Sequence, residues 1–226
     1  EKMQHDVRKA LVDLGIRIDA FSVNVIITPV TTTDPEVITI TYHSLYEASP
    51  YIKNTVKIEI SGRSMMEPIE KKAINAAVDT LFSKAPFAEK PFEVNAVIPE
   101  RTFLEKVFLL HELFSVEGRG VIADRKSRHL YDLSRMMDKD FALAAIKDDE
   151  LWESIRHHRE IFTSISGMDY TPDIRRRIVL VPREDIRSAW EADYKSMCSS
   201  MIFGEKPSFI ELIENMKVLE DRFHRF

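Results

Sequence analysis

Hydrophobic positions along the chain recur with two different periods, and the change of period divides it. Val7, Ala10, Leu11 and Leu14 fall on one helical face that Gly15 would terminate. Runs rich in β-branched residues follow: Phe21 to Thr28, closed by Pro29, then Val37 to Tyr42, in which Ile38, Ile40 and Tyr42 alternate with Val37, Thr39 and Thr41. They predict neighbouring strands of one sheet. In a third strand Val56, Ile58 and Ile60 share one half-buried face and Lys57, Glu59 and Ser61 the other, with Gly62 ending the run. A helix is expected from about Glu67 to Ser83 with Pro68 in its first turn, then a short strand from Val94 to Ile98.

Beyond Pro99 the pattern is helical almost to the end. Thr102 and Glu105 have the spacing of a capping box, which predicts a helix start there. At about 100° per residue, Phe103, Leu110, Leu113 and Phe114 form one broad apolar face, and Lys106 points into the middle of it. In the next helix Arg128, His129 and Asp132 share one face while Leu130, Leu133 and Met137 take the other. Gly118-Arg119-Gly120 between these two helices is expected to be a mobile loop. Leu151, Ile155, Phe162 and Ile165 mark another helix, and Pro182 to Met201 one more, with Trp190 and Tyr194 on one side. Ser208 and Glu211 form a second capping box, opening a last helix with Leu212, Met216, Leu219 and Phe223. The predicted class is α+β: a mixed part over residues 1–98, then an all-helical domain over 99–226.

Composition narrows the picture only modestly. A chain of 226 residues with 44% hydrophobic content can bury a substantial core. Its longest apolar runs fall far short of the roughly 18 residues a membrane helix needs, and the first residues do not read as a signal peptide. The single cysteine, Cys198, excludes an intramolecular disulfide and fits a reducing cytoplasm. It reads as a small hydrophobe rather than a nucleophile, since nothing near it in sequence supplies a base. The net charge of -5 argues against a nucleic-acid coat over the whole surface. Arg125-Lys126-x-Arg128, Arg156-His157-His158-Arg159 and Arg175-Arg176-Arg177 could still line a local basic groove, or be solvated helix ends.

The chemistry gathers around Lys106. An ammonium on an apolar stripe either snorkels to the stripe's edge or waits for an anionic partner. Arg128 and Asp132 read either as part of the same site or as an exposed i,i+4 ion pair worth tenths of a kcal/mol, about 0.5 at most. No phosphate-binding glycine loop is present, Gly118-x-Gly120 lacks the third glycine of a dinucleotide site, and His111-Glu112 lacks the second histidine of a zinc protease.

Glu100-Arg101-Thr102-Phe103-x-Glu105-Lys106-x-x-x-Leu110-His111, followed by Arg128-His129-x-Tyr131-Asp132, resembles the AbiEii/AbiGii family of bacterial nucleotidyltransferase toxins of abortive infection and type IV toxin–antitoxin systems. Val56 to Ser61 is similar to that family's third acidic strand, and Trp190-x-x-x-Tyr194 with Pro207-x-Phe209 to its closing helices. The family's Gly-Ser turn and Asp-x-Asp strand are absent from this chain. Since it opens at Glu1 inside a helical pattern, the expectation is a piece of a longer protein whose nucleotidyltransferase-like mixed sheet is incomplete, with an open edge or groove near Glu59. The resemblance implies Mg2+ held by Glu59, an NTP substrate held by Lys57, Lys106, Arg128 and His129, and Lys106 and Asp132 as the catalytic pair, Asp132 orienting Lys106 or the attacking hydroxyl. It also implies an RNA acceptor such as tRNA and a cognate antitoxin, whether or not in direct contact. The alternative is a non-catalytic relative that binds RNA or a protein, because one carboxylate cannot hold a metal pair.

Overall fold

The computed structural model describes residues 2–26, 36–45, 47, 49 and 51–226. The chain divides into two compact units, one of residues 1–64 with 191–206, the other of 65–190 with 207–226. The boundary expected at 98/99 coincides with a strand-to-helix junction inside the second unit.

In the first unit, helix α1 (Lys2–Asp13) ends as its sequence predicts. Gly15 adopts φ +82°, its N–H bonds to the Val12 carbonyl, and the Ile16 N–H reaches back to Leu11 at 3.1 Å. Strands β1 (Phe21–Ile26), β2 (Glu36–Tyr42) and β3 (Thr55–Ile60) form an antiparallel sheet in that order, with Val23 opposite Ile40 and Ile38 opposite Ile58. The expected end of the first strand at Thr28 and Pro29 lies outside the described residues. The core here is Phe21 and Ile38, with Val7, Leu11 and Ile40 packed on them. It sits on α1, β1 and β2, so β3 is an edge among the described residues and its apolar side chains Val56, Ile58 and Ile60 are exposed rather than half-buried.

The second unit begins with a strand where the sequence predicts a helix. Residues 67–83 do not form one helix: Ile69–Ile74 is a strand (β4), and only Ala77–Leu81 is helical (α2). β4 pairs antiparallel with β5 (Phe92–Val97), placing Ile69 opposite Val97 and Lys72 opposite Val94. A partner strand 18 to 28 positions downstream supplies the ladder bonds that favour the extended form. Among the described residues the strands make two antiparallel sheets, and the class is α+β.

Helix α3 (Pro99–Ser115) runs through the core of this unit. Proline at its first turn opens it earlier than the Thr102/Glu105 spacing suggested; Thr102 Oγ1 donates to the Ile98 carbonyl, and Glu105 accepts from Arg101 at 2.8 Å instead of closing a cap. Phe103, Leu104, Val107, Phe108 and Leu110 are fully buried. Around them stand α4 (Ser127–Met136), α5 (Asp140–Ala145), α6 (Asp149–His158), α7 (Glu184–Ser200), which contributes residues up to Trp190, and α8 (Phe209–Phe223). Aromatic contacts tie these helices together: Phe103 on Phe223, Phe108 on Trp152 and Phe114 on Trp190, with ring centroids 4.6 to 6.3 Å apart. The Ser208/Glu211 capping box is formed in both directions.

Candidate functional site

Lys106 sits on the second turn of α3 between buried Phe103, Val107 and Leu110, and its side chain is 22% exposed. Leu130, Leu133 and Met137 turn one face of α4 into the core, which leaves Asp132 and His129 toward the α3 lysine. The Lys106 ammonium lies 2.9 Å from Asp132 Oδ2 and 3.5 Å from His129 Nδ1. Of the two sequence readings for Lys106, snorkelling to water or pairing with an anion, the pair is formed.

His129 is neutral in this setting. Burial, and then the positive charges of Lys106, Arg128 and Lys126, outweigh Asp132 and pull its pKa down to about 4. Arg128 is exposed, and among the described residues it has no carboxylate partner. The i,i+4 pair with Asp132 is not made, because Asp132 is engaged by Lys106. α3 and α4 therefore bring the paired Lys106 ammonium and the neutral His129 imidazole together, with Arg128, which has no carboxylate partner among the described residues, next to His129 on α4, an arrangement suited to phosphate oxygens.

Lys57 and Glu59 belong to the other unit. Both are exposed on edge strand β3, opposite Thr39 and Val37 respectively. Among the described residues no group of three or more His, Cys, Asp or Glu side chains is placed to hold a metal ion. Glu59 alone does not make a Mg2+ site, which needs several oxygen ligands in near-octahedral array.

Two features escaped the sequence reading. The Gly118–Gly120 loop is tethered: Arg183 donates to the carbonyls of Phe114, Val116 and Arg119 at 3.1 to 3.4 Å, and Trp190 Nε1 donates to the Gly120 carbonyl at 2.7 Å. The second is a buried network on α3. Glu112, 3% exposed, takes two bonds from Arg159 at 2.5 and 2.7 Å and one from the Tyr170 hydroxyl at 2.8 Å. Burial works against the Arg159 charge, yet its bonds to Glu112 raise its pKa; burial and then Glu112 push the Tyr170 phenol up. Next on α3, His111 Nδ1 accepts from the Val179 N–H at 3.0 Å and faces Ser115 Oγ at 2.7 Å. Burial and nearby Arg177 and His224 lower the His111 pKa to about 4. That nitrogen is occupied and weakly basic, so Ser115 and His111 do not form a nucleophile–base pair. Only a lone histidine or glutamate on an apolar stripe of α3 hinted at these contacts, and neither named its partner.

Lys106, Asp132 and His129 thus meet between α3 and α4 in a fold of small sheets and helices. A family model described as nucleotidyl transferase AbiEii toxin, type IV TA system, matches residues 1–216, and the chain belongs to that family. No curated protein and no solved structure matches it. Membership places the protein in the class of nucleotidyltransferase toxins of type IV toxin–antitoxin systems, and so among transferases. Among the described residues no helix is long and apolar enough to cross a membrane.

Proposed function

We propose that the protein transfers a nucleotide from an NTP to an RNA acceptor such as tRNA, and that Lys106 and Asp132 are the residues on which transfer depends. A hydroxyl of the acceptor attacks the α-phosphorus and releases its proton to solvent, a new phosphodiester bond forms as the α–β phosphoanhydride P–O bond breaks, and pyrophosphate leaves with the displaced electron pair. Such a reaction asks the protein mainly for positioning and for neutralising charge. Lys106 holds the triphosphate, Arg128 neutralises it, His129 contributes to nucleotide binding, and Asp132 orients the Lys106 ammonium or the attacking hydroxyl. The observation that carries this reading is the 2.9 Å Lys106–Asp132 pair, a partly exposed lysine held on an otherwise apolar helix face. Mg2+, a cognate antitoxin and a cytoplasmic location complete the proposal.

A second reading, a non-catalytic relative that binds RNA or a protein, draws on the lone, exposed carboxylate of Glu59 and the lack of a ligand cluster among the described residues. The two separate when the protein is incubated with total RNA and each α-labelled NTP in turn. Label in RNA that depends on Asp132 supports the transferase; no label with any of the four NTPs, from folded protein, contradicts it and favours the binding protein.

A further inference from the structure

The contact between Lys106 and His129 defines a second holder of the lysine, an inference that rests on the reading of the Lys106–Asp132 pair as a phosphate site. An ammonium has three N–H donors and no acceptor, so whatever faces it must offer a lone pair. Asp132 Oδ2 takes one N–H at 2.9 Å, and His129 Nδ1 lies at 3.5 Å, the long end of hydrogen-bonding range. Nδ1 must then be the unprotonated nitrogen, and the proton of the neutral ring resides on Nε2. We propose that His129 is a positioning residue that shares the Lys106 ammonium with Asp132 and so aims its remaining N–H at a phosphate oxygen of the bound nucleotide.

The groups around the ring support this arrangement. Lys106 from α3, and Lys126 and Arg128 on its own stretch of chain, all disfavour an imidazolium, with Asp132 the opposing charge. With burial added, the ring titrates at about 4, so it stays an acceptor toward Lys106 throughout the neutral range. Asp132 alone would leave the ammonium free to turn about the Cε–Nζ bond; two fixed acceptors define the direction of the third donor.

The test uses the whole chain and inorganic tripolyphosphate as the probe, with nitrogen NMR of 15N-histidine-labelled protein. The His129 signals, assigned by their loss in His129→Asn, should report the Nε2–H tautomer at neutral pH. His129→Leu should weaken tripolyphosphate binding about tenfold, and His129→Asn, whose amide oxygen can accept from Lys106, should recover to within about threefold of wild type. An Nδ1–H tautomer, or His129→Leu binding the probe as tightly as wild type, overturns the inference. Lys106→Ala separates the two levels: loss of binding there with none in His129→Leu removes only the role of His129, whereas unchanged binding in both removes the phosphate site itself. The tautomer measurement is made on wild-type protein and stands even if His129→Leu does not fold.

Discussion

Lys106 and Asp132, twenty-six positions apart in sequence, meet at 2.9 Å between α3 and α4. The Asp132 side chain is 37% exposed, so solvent screens the pair and its worth to the fold is small. Asp132→Asn should therefore change unfolding free energy by no more than about 1 kcal/mol while lowering nucleotide transfer about a hundredfold. Urea melts alongside labelled-NTP assays check both halves; a large loss of stability with unchanged transfer would reverse the assignment.

The Glu112 network should behave in the opposite way. Glu112→Gln leaves Arg159 as a buried charge short of its counter-ion and should cost about 3 kcal/mol of stability. Tyr170→Phe removes one neutral donor from the same carboxylate and should cost about 1 kcal/mol. Denaturant unfolding of the two variants gives the comparison directly.

His111 makes stability depend on pH. Its pKa falls from 6.5 to about 4 on folding, so between those values the unfolded chain binds more protons. The stabilisation is fully present above about 6.5, declines as pH falls, and is lost by about 4; at 1.36 kcal/mol per pKa unit, His111 accounts for about 3 kcal/mol of that loss. His129 acts in the same direction. His111→Asn, which can still accept from the Val179 N–H but does not titrate there, should flatten the curve of unfolding free energy against pH.

Gly120 and Gly118 give a paired test of the tethered loop. Both have positive φ, but a Cβ on Gly120 would lie 2.7 Å from the Leu113 carbonyl oxygen, whereas one on Gly118 meets open space. Gly118→Ala should cost about 1 kcal/mol for its backbone conformation alone, and Gly120→Ala at least about 2 kcal/mol, read from thermal or denaturant melts.

What could be read from the sequence followed the range of the interactions. The Ser208/Glu211 cap and the Gly15 stop are complete within a few residues, and both stand as expected. The Thr102/Glu105 spacing misled because Pro99 opens α3 a turn earlier and Arg101 takes the Glu105 carboxylate. Residues 69–74 read as helix because their partner strand begins at Phe92, outside any local window. On α3, the need of Lys106 for an anionic partner was legible from the apolar residues around it, while Asp132 was singled out by the family resemblance rather than by the periodicity of α4. Nothing local tied Glu112 to Arg159, 47 positions away, or Arg183 to the carbonyls around Gly118. The pairing of 1–64 with 191–206 in one unit is likewise a product of tertiary contact that no periodicity announces.

Lys106 carries the central claim, and one measurement tests it most directly: transfer of labelled nucleotide to total RNA by wild-type protein expressed from its own gene, beside Lys106→Ala and Lys106→Arg, with melts run in parallel. Lys106→Ala should abolish transfer and growth toxicity while keeping the wild-type melting profile, since a lysine 22% exposed and salt-bridged adds little to stability. Lys106→Arg should fail as well, because a planar guanidinium does not fill a point-charge site. Transfer that persists in Lys106→Ala at the wild-type level would contradict the account.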